Sequence, residues 1–367
     1  MTTASRIAVL FAGAALLAGP VADAQPPKLP RPGADGPPPL EPTGFKLVEK
    51  IETKENTILA LDAAADGRSV AISSGWDVVI WDLKDGKVVA KWEAAKSIID
   101  RVKFTDGGKT LLATSGSDRK VVIRDARSGE KRGTLDLSDN GPNDLNGLNG
   151  LTALDAAAGE GPIVTGSRRH LKLWDSRTGR PRWQVEGDHF HEISLSADLS
   201  VVAVVLYNGE VRTYRASDGK ELLRVGRPPS RSSATRGIAL SRGGEELVIG
   251  AFIQSTISIL DLRKQGMHRE IRWTERPFVP PPGQRAPGTV GIERFAISPD
   301  GATLAASCCD RTIRVYDTTS WELRGSAALY TNWLAFTAAS RHLLIPQAEG
   351  VILRCDWRLD AALPKPK

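Results

Sequence analysis

Short runs of Val, Ile, Leu and Ala recur along residues 44–359, some strictly alternating with polar residues and some continuous, and Asp-Gly, Gly-Gly and Ser-Gly pairs punctuate them. Alternation with a period of two marks a strand with one buried face, and a short continuous apolar run marks a strand buried on both. The punctuating pairs supply the positive φ that tight turns need. The order strand, turn, strand, turn, strand, turn, strand begins at Leu59 and returns at Arg101, Leu151, Ile193, Gly237 and Ile292. A seventh copy from Trp333, "WLAFTAASRHLLIPQAEGVILRCDW", supplies three strands and then stops. A period of about 40 residues with four short strands per unit predicts an all-β chain, a seven-bladed β-propeller of four-stranded blades.

The ends of the repeat array predict how the ring closes. The run "FKLVEKIET", Phe45 to Thr53, has no partner in the first copy and resembles the fourth strands "KVVAKWEA" and "KELLRVG". It is expected to complete the last blade, which removes an exposed sheet edge.

Four third strands close on "VVIWD" (Trp81, Asp82), "LKLWD" (Trp174, Asp175), "ISILD" (Asp261) and "IRVYD" (Asp317). In these marks the chain resembles the WD40-repeat family over essentially all of residues 44–359. The resemblance implies a structural role for Trp81, Asp82, Trp174, Asp175 and Asp317. It also implies a platform for protein interaction rather than catalysis. The repeats are divergent. Trp76-Asp77 falls in a turn, no Gly-His dipeptide occurs, and His189 is the only substitute in view for the histidine of the family's His–Asp network.

The segments outside the repeats bear on location. Residues 1–24 hold Arg6, an apolar run from Ile7 to Ala18, and the small-x-small pattern Ala22-Asp23-Ala24, the layout of a secretory signal peptide. The apolar run is short of the ~20 residues that span a bilayer. Cleavage after Ala24 and a periplasmic or extracellular destination are therefore expected. Residues 25–43, "QPPKLPRPGADGPPPLEPT", read as an extended Pro-rich linker, and residues 360–367 as a polar tail. Three cysteines are an odd number, so a full disulfide framework is excluded and a hydrophobic core must carry stability. The formal charge is +6, and it survives cleavage because the lost segment carries one positive and one negative residue.

In a four-stranded blade the turns between second and third strands share one face of the ring with the connections between blades. That face is the elaborated one. It takes the long inserts at 138–150, 227–236 and 275–289, while the turns of the other face stay minimal. It also gathers Arg119 and Lys120, Arg168 and Arg169 beside His170, and Arg311, with Arg231, Arg236 and Arg285 in the inserts. Arginine presents a planar fork of donors suited to carboxylates. The expected partner is a protein or peptide with acidic segments. Nucleic acid is disfavoured by the modest charge and by the lack of aromatics among the arginines.

Two features speak for an enzyme instead. Cys308 and Cys309 are adjacent, and "DSRTGRPRW", Asp175 to Trp183, resembles the docking motif of exported quinoprotein dehydrogenases, in which an adjacent-cysteine disulfide lies against the quinone. Setting "ATSGSDRKVVIRD" beneath "AASCCDRTIRVYD" puts Cys308 at the place of Gly116 and Cys309 at that of Ser117, where small residues end a strand. The "HFH" of His189 and His191 could supply two metal ligands, with no third identifiable. The expectation is therefore a non-catalytic ring needing neither cofactor nor metal. A quinone-dependent dehydrogenase or a metal-dependent hydrolase is the alternative.

Overall fold

In the computed structural model every repeat folds as an antiparallel four-stranded meander, and seven such sheets form a ring. The structure describes residues 45–357 other than 56, 94–97, 116–119, 138–150, 158–160, 188, 227–234, 242–243, 252–255, 265, 273–290 and 330. Blades 1 to 6 occupy residues 60–93, 101–136, 151–186, 190–225, 235–272 and 292–327. Blade 7 takes three strands from residues 335–356 and its outermost strand from Lys46–Glu52.

The N-terminal strand thus closes the ring as the sequence predicts. It runs antiparallel to Val351–Asp356, from Lys46 opposite Asp356 to Glu52 opposite Val351. Thr53 locks the end of this pairing, its Oγ1 donating to the Gly350 carbonyl at 2.6 Å and its N–H to the same oxygen at 3.0 Å. Phe45 and Ile51 are buried on either side of the strand. Phe45 enters the core between blades 6 and 7, and Ile51 that between blades 7 and 1.

Burial explains the residue choice within each blade. Second and third strands are almost wholly apolar because neighbouring blades cover both of their faces. Residues 70–72 and 78–80 are at most 1% exposed, for example. Each hydrophobic cluster draws on two blades: Leu171 and Leu173 of blade 3 pack with Phe190, Val202 and Tyr214 of blade 4. Outermost strands alternate between exposed and part-buried residues, as in Lys87–Glu93. In blades 1 to 6 the register shifts at one place between third and outermost strands, from Ile80/Trp81 in blade 1 to Val315/Tyr316 in blade 6. A bulge there adds twist to the blade's outer edge.

The aspartates that follow these bulges cap the next turn. Asp82, Asp125, Asp175, Asp261 and Asp317 each accept two backbone N–H groups, from the residues two and three positions on. Arginines seven residues downstream add a second tie: Arg132 to Asp125, Arg182 to Asp175 at 2.7 Å, and Arg324 to Asp317 at 3.1 Å. In blade 1 the ion pair comes from Arg68 to Asp82. Hydrogen bonding, chiefly from Arg182, holds the Asp175 carboxyl down at about 2. A depressed folded pKa means that this stabilisation is present above the ordinary carboxylate value and is lost as pH falls through about 2. Trp81 and Trp174 are core residues, 7% and 3% exposed, and the Trp174 indole donates to Thr165 Oγ1 at 2.8 Å.

Outermost strands also reach sideways to the following blade. Trp183 of blade 3 lies on Gly219, in the last turn of blade 4, and its indole N–H donates to the Ala216 carbonyl at 2.9 Å. Gly219 has φ +73°, and a Cβ there would meet the Trp183 ring at 2.8 Å, so both backbone and space require glycine. Trp92 of blade 1, paired two residues further along its strand, also lies on the glycine of the next blade's last turn, Gly129. The segment "DSRTGRPRW" is thus a structural element that docks one blade on the next.

Deleting residues 1–53 removes Phe45, Ile51 and the Thr53 lock together. We expect a loss on the order of 5 kcal/mol, since burying two such side chains is worth several kcal/mol. Urea unfolding of the truncated and full chains measures it, and equal midpoints would show that the ring does not depend on this strand.

Candidate interaction face

The turn of blade 3 that carries Arg168 and Arg169 joins Ile163–Ser167 to His170–Trp174, and both arginines are exposed. Its backbone is held from within and from the next blade. The Ser167 hydroxyl accepts the His170 N–H at 3.0 Å. The Arg169 carbonyl accepts the N–H of Gly187, and the Arg168 carbonyl that of His189, at 2.9 and 2.6 Å. The connection into blade 4 therefore clamps the arginine turn.

His189 takes a left-handed φ of 53° in making this connection. Its ring stacks on Tyr207 at 4.8 Å with 12° between the planes, and the Tyr207 N–H donates to the His189 carbonyl at 2.9 Å. His191 stands edge-on to both rings, at 6.5 Å from His189 and 6.0 Å from Tyr207. Tyr207 remains 53% exposed. The result is an aromatic platform beside two arginines, at the junction of blades 3 and 4.

Tyr207 was not among the residues that the sequence singles out. Its signal is positional: "LYNGE" is the second-to-third turn of blade 4, the same turn type that carries Arg168. Trp76, 56% exposed in the corresponding turn of blade 1, shares that signal.

The other predicted residues fall in different sectors. Lys120 is exposed at the start of the third strand of blade 2, next to blade 3. Arg311 is exposed in blade 6, across the ring, with φ 64°. The neighbouring Asp310 is buried against Arg314, paired at 3.0 Å, and also accepts from Thr312. Arg236 belongs to the innermost strand of blade 5, Thr235–Leu240, and nothing is described of its side chain. Arg119, Arg231, Arg285 and the bulk of the three inserts lie outside the described residues.

All three cysteines are unbridged and buried. Strand pairing sets Ala305 level with Leu112, each in register with the residue before the bulge, Val315 and Ile123. Cys308 therefore takes the place of Ser115 rather than Gly116, because the blade 2 hairpin is longer by one residue. It packs with Ile292, Tyr316 and Trp321, and burial pushes its thiol well above the ordinary range. Cys309 Sγ lies 3.5 Å from Glu293 Oε1. Burial also pushes Cys355 up, to about 11. Such thiols are poor nucleophiles.

The innermost strands enclose a central channel of about 540 Å³. At its mouth on the arginine-bearing face, Arg294 lies over the Trp333 ring at 4.3 Å. Deeper in, three consecutive blades place a charge at one level: Asp62, Lys103 and Asp155. Lys103 Nζ is 3.5 Å from Asp155 and 4.0 Å from Asp62. Each carboxylate also ties its blade to the next, Asp62 accepting the Phe104 N–H at 2.7 Å and Asp155 that of Leu195 at 2.8 Å. Ser194 repeats the tie to Leu240 at 3.0 Å. Burial pushes Asp62 up, against the pull of Lys103, and the Asp62 carboxylate in turn pushes Lys103 up. Among the described residues no group of three or more His, Cys, Asp and Glu is placed to hold a metal ion, and no helix is long and apolar enough to cross a membrane.

The geometry defines a seven-bladed β-propeller. The family model described as "WD domain, G-beta repeat" matches residues 286–317, which lead into and form most of blade 6. That match, set within a ring of seven four-stranded blades, supports assignment of the chain to the WD40-repeat family. No curated protein matches the sequence.

Lys103→Met leaves the Asp62 and Asp155 carboxylates facing each other without their cation. We expect a loss of about 1–3 kcal/mol near pH 7, less than for a fully buried pair because the lysine is partly exposed. Asp62 has a raised folded pKa, so protonation relieves the repulsion and the deficit should shrink as pH falls toward 4. Denaturant titrations of both proteins at the two pH values measure it, and a deficit that grows on acidification would contradict the arrangement.

Proposed function

We propose that this propeller is an exported, non-catalytic platform that binds a protein or peptide with acidic segments across its elaborated face. The observation that carries the reading is the clamped Arg168–Arg169 turn beside the His189–Tyr207 stack. WD40-type propellers commonly bind proteins, and exposed Arg and Tyr are the residue types that dominate interface energetics. A turn held by two interblade hydrogen bonds loses little entropy on binding. The arginines provide forked donors for carboxylates, and the tyrosine face provides apolar area next to them. The buried, unbridged cysteines give no support to a quinone-dependent enzyme.

Export rests on the first 24 residues, whose charged start, apolar centre and small-x-small end suit a signal peptide. The Pro-rich stretch that follows would hold the ring clear of its site of release. Mass spectrometry of the native protein should find Gln25 at its N-terminus. A chain retaining residues 1–24 in the membrane fraction would replace the soluble exported form by an anchored one.

The binding surface is tested by cross-linked capture from the envelope fraction, comparing the native chain with an Arg168→Glu/Arg169→Glu form and with Tyr207→Ala. Each variant should bind the captured protein at least tenfold more weakly, about 1.4 kcal/mol. Its thermal midpoint should stay close to the parent's, since exposed turn substitutions cost within about 0.5 kcal/mol. Equal capture by all three would remove this face from consideration, and a bound quinone or stoichiometric metal in the purified protein would favour an enzyme.

A further inference from the structure

Opposite the arginine-bearing face, between blades 2 and 3, lies a cavity of about 410 Å³, within the size range of ligand pockets. Gly133 is one of the residues that leave it open. Gly133 pairs with Ile123 just before the bulge of blade 2, the place that Trp183 holds opposite Leu173 in blade 3. In blades 3 and 5 the side chain at this level is spent on the junction, whereas blade 1 carries Ala90 there. Trp183 reaches the Ala216 carbonyl in the last turn of blade 4, and Arg269 of blade 5 reaches the Ser320 carbonyl in the last turn of blade 6. A Cβ built on Gly133 would meet nothing within 4 Å.

The far wall repeats the surface on which Trp183 sits. Gly179, with φ +65°, follows Asp175 by four residues as Gly219 follows Arg215, and a Cβ on Gly179 would touch only Leu135, at 3.9 Å. By the same count Ser176 stands where Ala216 stands, so its carbonyl is in the position that accepts the Trp183 indole. Ile123 and Ile163 give the cavity an apolar floor, and Thr178 and Arg177 lie on its rim. Asp106, Thr110 and Arg132 form a polar wall, in which Arg132 donates to Thr110 Oγ1 at 2.8 Å and pairs with Asp106 at 3.9 Å. Gly325 holds the equivalent position in blade 6. There the following blade is closed by Lys46–Glu52 and has no third-to-fourth turn to supply the opposing glycine.

We propose that the blade 2–blade 3 junction is a socket for a tryptophan side chain of a partner polypeptide, which would lie on Gly179 and donate its indole N–H to the Ser176 carbonyl. The socket thus takes from outside what blade 3 supplies to blade 4 from within. It is a second site, on the face away from Arg168 and Arg169, and does not rest on the function proposed above.

The test uses the full chain and N-acetyl-5-fluorotryptophanamide, followed by fluorine NMR, with N-acetyl-leucinamide as competitor. The expected result is broadening and shift of the fluorine line on adding protein, unaffected by excess of the leucine amide. Gly133→Trp should abolish the effect while keeping or raising the thermal midpoint, with added emission at a wavelength typical of a buried indole. Gly133→Leu places at this level the residue that blade 4 carries as Leu223, and it should weaken the probe at least tenfold in a folded protein. Arg168→Glu/Arg169→Glu should leave the probe unaffected. No line broadening, broadening that survives Gly133→Leu, or broadening lost only in the double arginine variant would each overturn the proposal.

Discussion

A four-stranded blade is too thin to shield its own apolar residues, and everything else in this molecule follows from that deficit. Val70 to Ile72 and Val78 to Ile80 have apolar side chains on both faces of a single sheet. They become buried only when blades 7 and 2 stand on either side. Stability therefore resides at the junctions between sheets, not within any one of them. The ring is the arrangement in which every sheet has two neighbours, and its closure is a requirement of the same kind as a sealed core.

The polar interactions are best understood as serving those junctions. Asp62, Asp155 and Ser194 tie successive inner strands together near the channel, while Trp92 and Trp183 do the corresponding task at the outer rim. Between them the strand-end Asp125 fixes the turn on which Trp92 rests. In blade 4 Arg215 takes the aspartate's place and pairs with Asp218 within the turn on which Trp183 rests. A rigid outer turn is what lets a glycine such as Gly219 present a flat surface to an indole.

Much of this was legible in the sequence because the signal is periodic. Blade count, strand order and the role of Phe45 to Thr53 all come from repetition, and repetition survives the loss of individual marks such as the Gly-His dipeptide. Side-chain geometry is less legible. Tyr207 joins His189 only because a left-handed backbone at His189 turns the ring toward it, and no spacing rule announces that. The charged level of Asp62, Lys103 and Asp155 is visible only once three inner strands are aligned by their pairing. Cys308 was displaced by one residue for a related reason: the aspartate-anchored alignment of third strands does not report a longer hairpin before them. The arginines of the elaborated face were grouped by face, yet Arg168 and Arg311 belong to blades on opposite sides of the ring.

The bond from Thr53 to Gly350 joins residues 297 positions apart. Its consequence concerns the order of events as the chain is made. The strand that seals the ring is synthesised before any blade, and the strand it pairs with, Val351–Asp356, after blades 1 to 6. Loop-closure entropy is paid late, after six blades have had the chance to stack, and the final step is capture of an early segment by a late one. Until then Lys46–Glu52 is an unclaimed strand with exposed backbone donors and acceptors. The lysines at 46 and 50 are well placed to keep it from pairing with a neighbouring chain in that interval.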